Sequence, residues 1–192
     1  MHYKLSFVLA FILTLLACLQ TNAQTNVLIT YYSKTGNTQT MAEAVARGAS
    51  EVEGVQVTLK TVEQAVISDL IEADAIIVGS PVYNANVAPE VSSFIASWPF
   101  ENQPLKNKIG AAFVTAGGIS AGEEITQVNI LQSMLIFGMV VVGGSDWTAP
   151  FGASAIRGEP PFDEDEPIHQ HFLEKGQALG KRVAELAVKL NQ

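Results

Sequence analysis

The chain has 192 residues, 48% of them hydrophobic and only 16% charged, with a formal net charge of −8. That length suits one domain with a proper core, and the acidic balance argues against nucleic acid or an anionic membrane surface as partner. A single cysteine, Cys18, rules out a disulfide framework, and no internal repeat or low-complexity tract breaks the sequence.

Residues 1–23 are expected to be an export signal, set apart from a domain over 24–192. Lys4 precedes an apolar run from Leu5 to Ala17, the length of a signal core and too short for a permanent membrane span; a buried core strand is the alternative. Two processing points compete. Thr21-Asn-Ala23 is a small-residue cleavage site, whereas Leu15-Leu-Ala-Cys18 resembles the lipobox of bacterial lipoproteins and would leave a lipid anchor on Cys18. The expected location is therefore exported, periplasmic or membrane-anchored, in a bacterium. No twin arginine is present, so export of the unfolded chain is expected.

Val27 to Tyr32 is rich in β-branched and aromatic residues, as a strand buried in a parallel sheet should be. Met41, Ala44, Val45 and Gly48 then recur at helical spacing, and between the two lie Ser33, Lys34, Thr35, Gly36, Asn37 and Thr38. Such a turn presents backbone N–H groups and hydroxyls at the positive end of a helix dipole, an environment suited to a phosphate. A plain helix cap is the competing reading. Neither G-x-x-x-x-G-K-[ST] nor G-x-G-x-x-G occurs in the chain, which excludes the common nucleotide loops.

Further along, Gly54–Lys60 alternates as a strand nearer a sheet edge, and Thr61–Glu72 makes a brief helical return. Asp74–Ser80 is the most hydrophobic strand and ends in a polar loop, Ser80–Pro89. A helix from about Pro89 to Trp98 precedes a strand over Lys108–Thr115, with Ala116–Gly122 at its carboxyl end. The next helix starts at Glu123 and carries Ile125, Val128, Leu131 and Leu135; Gly138–Gly143 supplies a fifth strand. A final helix keeps Phe172, Leu179, Val183, Leu186 and Leu190 on one face. Strands alternating with helices imply right-handed crossovers and an α/β fold with a doubly wound five-stranded parallel sheet. Its ligand should sit at the carboxyl ends of the strands. The segment Ser145–Pro167 is long for a connection, as a substrate lid or subunit contact would be.

Ser33-Lys-Thr-Gly-Asn-Thr38 after the first strand resembles the flavodoxin phosphate loop. With the surrounding Tyr31-Tyr-Ser and Met41-Ala-x-Ala-Val-Ala-x-Gly48, it is similar to the quinone-reductase branch of the flavodoxin-like flavoproteins. Asp74–Asn86 is similar to that family's flavin-ring loop, and Ala153–Gly158 with Gly180–Glu185 to its carboxyl-terminal segment. The resemblance implies strand order 2-1-3-4-5 with helices on both faces, and FMN as cofactor. It implies that Pro81, Val82, Tyr83, Asn84 and Asn86 line the flavin ring on one side and Thr115, Ala116, Gly117 and Gly118 on the other. Ordinary loop packing is the alternative for Tyr83, and the two asparagines read equally as turn formers. No second Gly-rich loop offers a place for an adenine dinucleotide half, which favours FMN over FAD. The implied function is electron transfer or NAD(P)H:quinone reductase-like oxidoreduction in the cell envelope, with a redox partner protein or a quinone-like molecule and a homo-oligomer as partners. The branch carries a histidine pair before the Gly-Met of its last strand; this chain has Ile136-Phe137 there, and Tyr83 where the branch has arginine. Slow or absent quinone turnover with NAD(P)H follows as an expectation.

A serine hydrolase is the alternative function. Gly118-Ile-Ser120-Ala-Gly122 matches G-x-S-x-G, and Asp146, Asp163 and His169 or His171 follow in triad order. The hydrolase reading lacks an HGGG-like oxyanion segment and places Ser120 well past its strand. His169 and His171 beside Asp163–Glu166 read as a solvated helix start and not as a metal site, because residues two apart on a helix face different ways. Trp98 and Trp147 read as core or interface residues.

Overall fold

The computed structural model describes residues 24–191. The expected signal segment, its cleavage points and Cys18 lie outside the described residues. Strand β1 (Thr25–Tyr31) leads into helix α1 (Asn37–Ser50), β2 (Val55–Thr61), α2 (Ile67–Glu72), β3 (Ala75–Tyr83), β4 (Asn86–Val87) and α3 (Pro89–Ala96). Then follow β5 (Ile109–Ala116), α4 (Glu123–Ile136), β6 (Val140–Val141), β7 (Ala153–Ile156) and α5 (Gln170–Leu190). The main sheet runs β2-β1-β3-β5-β6, all parallel, which is the flavodoxin-like order.

Period-two alternation divides the strands between two cores. Val27, Ile29 and Tyr31 of β1, Ala75 and Ile77 of β3, and Ala111 and Phe113 of β5 pack under α1 and α5. Leu28, Ile76, Val78, Ala112 and Val114 point the other way, against Leu70, Val91, Phe94, Ile130 and Met134 of α2, α3 and α4. Every residue of β5 is buried, which is why its sequence reads as a continuous apolar run.

Three expectations change. The sheet has seven strands, not five. The fifth is split: β6 pairs with the start of β5 (Ile109↔Val140), whereas β7 pairs with its end (Phe113↔Ala153 through Ala116↔Ile156). Between them the chain leaves the sheet at Gly143-Gly144 and closes on itself, with the Gly144 N–H donating to the Ala149 carbonyl at 2.8 Å. The long connection expected after Ser145 thus contains a sheet strand. Second, β4 folds back antiparallel on β3 in a two-residue hairpin, with Tyr83↔Asn86 flanking Asn84 and Ala85 at φ 50° and 58°. Both tip residues are left-handed, the pairing that matches the strands' own twist. Third, α2 begins only at Ile67, because β2 runs on through Thr61 alongside Tyr31.

Candidate functional site

The loop from Ser33 to Gly36 leaves the carboxyl end of β1 and enters α1 through Gly36, at φ +90°. An L side chain rarely adopts that backbone angle, so a glycine is required for so tight an entry. The Ser33 hydroxyl oxygen accepts from the N–H of Gly36 at 3.1 Å and of Gln39 at 3.2 Å, folding the loop over the helix start. The N–H groups of Lys34, Thr35, Asn37 and Thr38 meet no acceptor among the described residues. No acidic residue lies in the first turn of α1, and Ser33, bonded to Gln39, leaves the N–H groups of Asn37 and Thr38 uncapped. By contrast α3 and α4 carry Glu90, and Glu123 with Glu124, in their first turns. The start of α1 is therefore the helix terminus left open to an anion, and its donors match a phosphate group.

Thr38 is buried, and its hydroxyl lies 2.8 Å from that of Thr115 at the end of β5. One bond thus ties the first loop to the third-lying strand end. Lys34 and Thr35 are exposed, and Asn37 is half-buried. On the neighbouring edge, Pro81, Val82 and Tyr83 are half-buried at the end of β3; Val82 and Tyr83 lean on the core below. Asn86 donates its side-chain amide to the Asn84 carbonyl at 2.8 Å, a turn bond, and lines a separate cavity of about 400 Å³ between α3 and α4. Ala85 at the hairpin tip rests against Gly122, where an added Cβ would come within 2.4 Å of the Ala85 Cβ. Gly117 and Gly118 follow Ala116 out of the sheet; a Cβ on Gly117 would meet nothing within 4 Å, leaving open space beside the hairpin. All three loops thus stand on one edge of the sheet, as parallel strands with right-handed crossovers require.

Tyr32 follows β1, and its N–H donates to the Gly79 carbonyl at 3.2 Å. Its phenol is held above the usual range, first by the Glu90 carboxylate and then by burial.

Two further residues join this edge: Arg157, inside the segment Ala153–Gly158 that the resemblance marked without giving the arginine a role, and Glu159, which the sequence did not single out. β7 delivers Arg157 beside Ala116, to whose carbonyl its N–H donates at 3.0 Å. The Arg157 guanidinium donates from Nη1 to Asn37 Oδ1 at 2.9 Å and from Nε to the Glu166 carbonyl. Two residues on, Glu159 Oε2 accepts from the Ile119 N–H at 2.6 Å. A segment more than 110 residues downstream of the first loop thus braces both sides of the site. Only the pairing of β7 with β5 brings it there, and no local spacing carries that signal.

The triad elements stay apart in their bonding. Asp146 caps its own turn, accepting from the Thr148 N–H and hydroxyl at 2.7 and 2.6 Å. His169 Nδ1 accepts from the His171 N–H at the start of α5. Ser120, exposed at φ 60°, bonds to no histidine among the described residues. The hydrolase reading gains no support.

The family model described as NADPH-dependent FMN reductase matches residues 26–154. A flavodoxin of Aquifex aeolicus is 35% identical over 169 residues, covering 83% of this chain and 85% of the relative. An NAD(P)H dehydrogenase (quinone) of Rhodopseudomonas palustris is 32% identical over 199 residues, covering 86% and 98%. Among solved structures, a flavodoxin, WrbA-like protein from Agrobacterium tumefaciens superposes with a TM-score of 0.69 at 22% identity, covering 86% of this chain and 98% of that one. A flavodoxin from the domain Archaea gives 0.65 at 24%, covering 85% and 99%. These last two likenesses concern the fold.

Proposed function

The chain belongs to the NADPH-dependent FMN reductase family of flavodoxin-like proteins, and on that premise we propose that it is an FMN-binding redox protein that passes electrons between partners at the carboxyl edge of its sheet. The observation that carries the reading is the open start of α1. Four N–H groups there lack acceptors among the described residues, and no carboxylate competes for them. Ser33 to Thr38 hold the phosphate. Pro81 to Asn84 and Thr115 to Gly118 would line the ring on its two sides. FMN, when bound, supplies the one- and two-electron chemistry that no side chain of this edge could supply.

Electron carriage fits these residues better than fast quinone reduction. At the positions where the quinone-reductase branch has histidines, Ile136 is 71% exposed and Phe137 packs against Trp98 and Phe100 at 5.4 and 5.9 Å. Neither side chain can hold a proton for an incoming oxygen. A redox partner protein is the proposed exchange partner, with a quinone-like molecule as a slower one. We further propose that the domain begins after residue 23 and works outside the cytoplasm, anchored through an acylated Cys18; the Lys4 and Leu5–Ala17 pattern supports this. Ile136, Leu135 and Phe100 leave apolar surface near α4, which supports contact with another copy or partner.

The test is an absorption spectrum of the purified chain followed by titration of the flavin-free protein with FMN and riboflavin. FMN should bind at least about tenfold more tightly, and Thr35→Ala should remove much of that margin, since a charge-assisted bond contributes roughly 1.5–3 kcal/mol. A colourless protein that quenches neither flavin would sink the reading.

A further inference from the structure

We propose that Arg157 is the residue by which this chain selects a phosphorylated flavin, its guanidinium supplying the counter-charge at the phosphate loop. The inference rests on the FMN reading above and adds to it a residue outside the loop. Arg157 is half-buried, and both acceptors it uses are neutral: the Asn37 side-chain oxygen at 2.9 Å and the Glu166 main-chain carbonyl. The ion pairs among the described residues are Lys60–Asp69 and Lys181–Glu51, so no carboxylate there lies within ion-pairing distance of this guanidinium. A partly desolvated cation without a counter-charge is unfavourable, and a dianion arriving beside it removes the penalty.

Position makes phosphate the natural arrival. Asn37 is the first residue of α1, flanked by the N–H groups of Thr35 and Thr38 that lack acceptors. With Nη1 and Nε committed, Nη2 donates to nothing among the described residues. The planar fork of arginine can offer that remaining edge without giving up its brace on Asn37. Lys34 on the loop is exposed, in contrast to the half-buried Arg157. β7 and the strap after it thus bring to this edge a half-buried charge held by two hydrogen bonds.

The test uses the full-length protein stripped of flavin, titrated with FMN and with riboflavin and followed by fluorescence quenching. Arg157→Ala should weaken FMN by about tenfold to a hundredfold while changing riboflavin less than about twofold. Arg157→Lys should recover part of the loss, because it keeps the charge and forfeits the fork. The FMN margin of the unchanged protein should shrink with added salt, and that of Arg157→Ala should respond less. Equal losses for both flavins would show that the strap merely shapes the pocket and would overturn the inference. An Arg157→Ala protein that keeps the full FMN preference would overturn it while leaving the phosphate loop standing. Unchanged protein that binds both flavins alike would take down the FMN reading and this inference together.

Discussion

Helices α1 and α5 approach so closely that their glycines decide whether they can pack at all. A Cβ added at Gly180 would lie 1.9 Å from the Val45 carbonyl oxygen and 3.0 Å from the Ala49 nitrogen; one at Gly48 would lie 1.9 Å from the Gln177 carbonyl oxygen. These neighbours are backbone, so they cannot rotate aside. Gly180→Ala therefore demands that the helices part by about 1.5 Å to reach ordinary contact. Parting them loosens Met41, Val45, Leu179 and Val183, all buried in the core that this pair covers. Overpacking of this kind costs about 3 kcal/mol, and the better helix propensity of alanine returns about 1, leaving a net loss near 2. That corresponds to a fall of roughly 4–8 °C in Tm for a domain of this size. Gly176→Ala is the internal control. Its Cβ would meet the flexible end of Met41 at 3.3 Å and the Ala44 Cβ at 3.4 Å, so propensity should offset crowding to within about 0.5 kcal/mol. Urea unfolding of the two variants at equal protein concentration reads both values. A Gly180→Ala protein as stable as the parent, or a Gly176→Ala protein equally damaged, would refute the argument that backbone contact and not glycine content governs this interface.

The remaining expectations concern charge, location and turnover. Asp69 is held below the usual carboxylate range, first by its hydrogen bonds with Lys60 and then by the Val66 N–H. Because the folded value is depressed, its contribution is present above the unfolded pKa of about 3.9 and is lost as pH falls through the folded value. Asp69→Asn should thus cost about 1 kcal/mol at pH 7, and the two unfolding curves should converge in acid; a gap that persists at pH 2 contradicts this. Cys18→Ala should release the protein from the membrane fraction, and unchanged fractionation would defeat lipidation. Steady-state assays with NADH or NADPH and benzoquinone should show turnover well below the enzyme-typical figure of about 10 per second, and reaching that figure would contradict the role given to Ile136-Phe137.

Much of this molecule is legible in its amino-acid order because the relevant physics is local. The apolar runs at Val27, Asp74 and Lys108, each followed by a polar turn and a helical repeat, dictate parallel strands and place their loops on one edge. The loop Ser33–Thr38 declares itself through hydroxyls and a glycine where a helix begins, and the observed φ of +90° at Gly36 is the consequence. What the order of residues could not express are pairings that depend on distant neighbours. Val140 and Val141 sit in the middle of the expected strand Gly138–Gly143, yet β5 accepts only these two positions and then takes Ala153–Ile156 instead. The two asparagines of the hairpin read equally as ring contacts and as turn formers, and the fold adds the bond from the Asn86 amide to the Asn84 carbonyl. Arg157 lies 120 positions from Asn37, inside the segment Ala153–Gly158 that resembles the family's carboxyl-terminal segment without any role attached to the arginine. Only the register of β7 on β5 sets its guanidinium beside the start of α1, because strand pairing couples residues by position in space, where helical and turn preferences couple them by position in the chain.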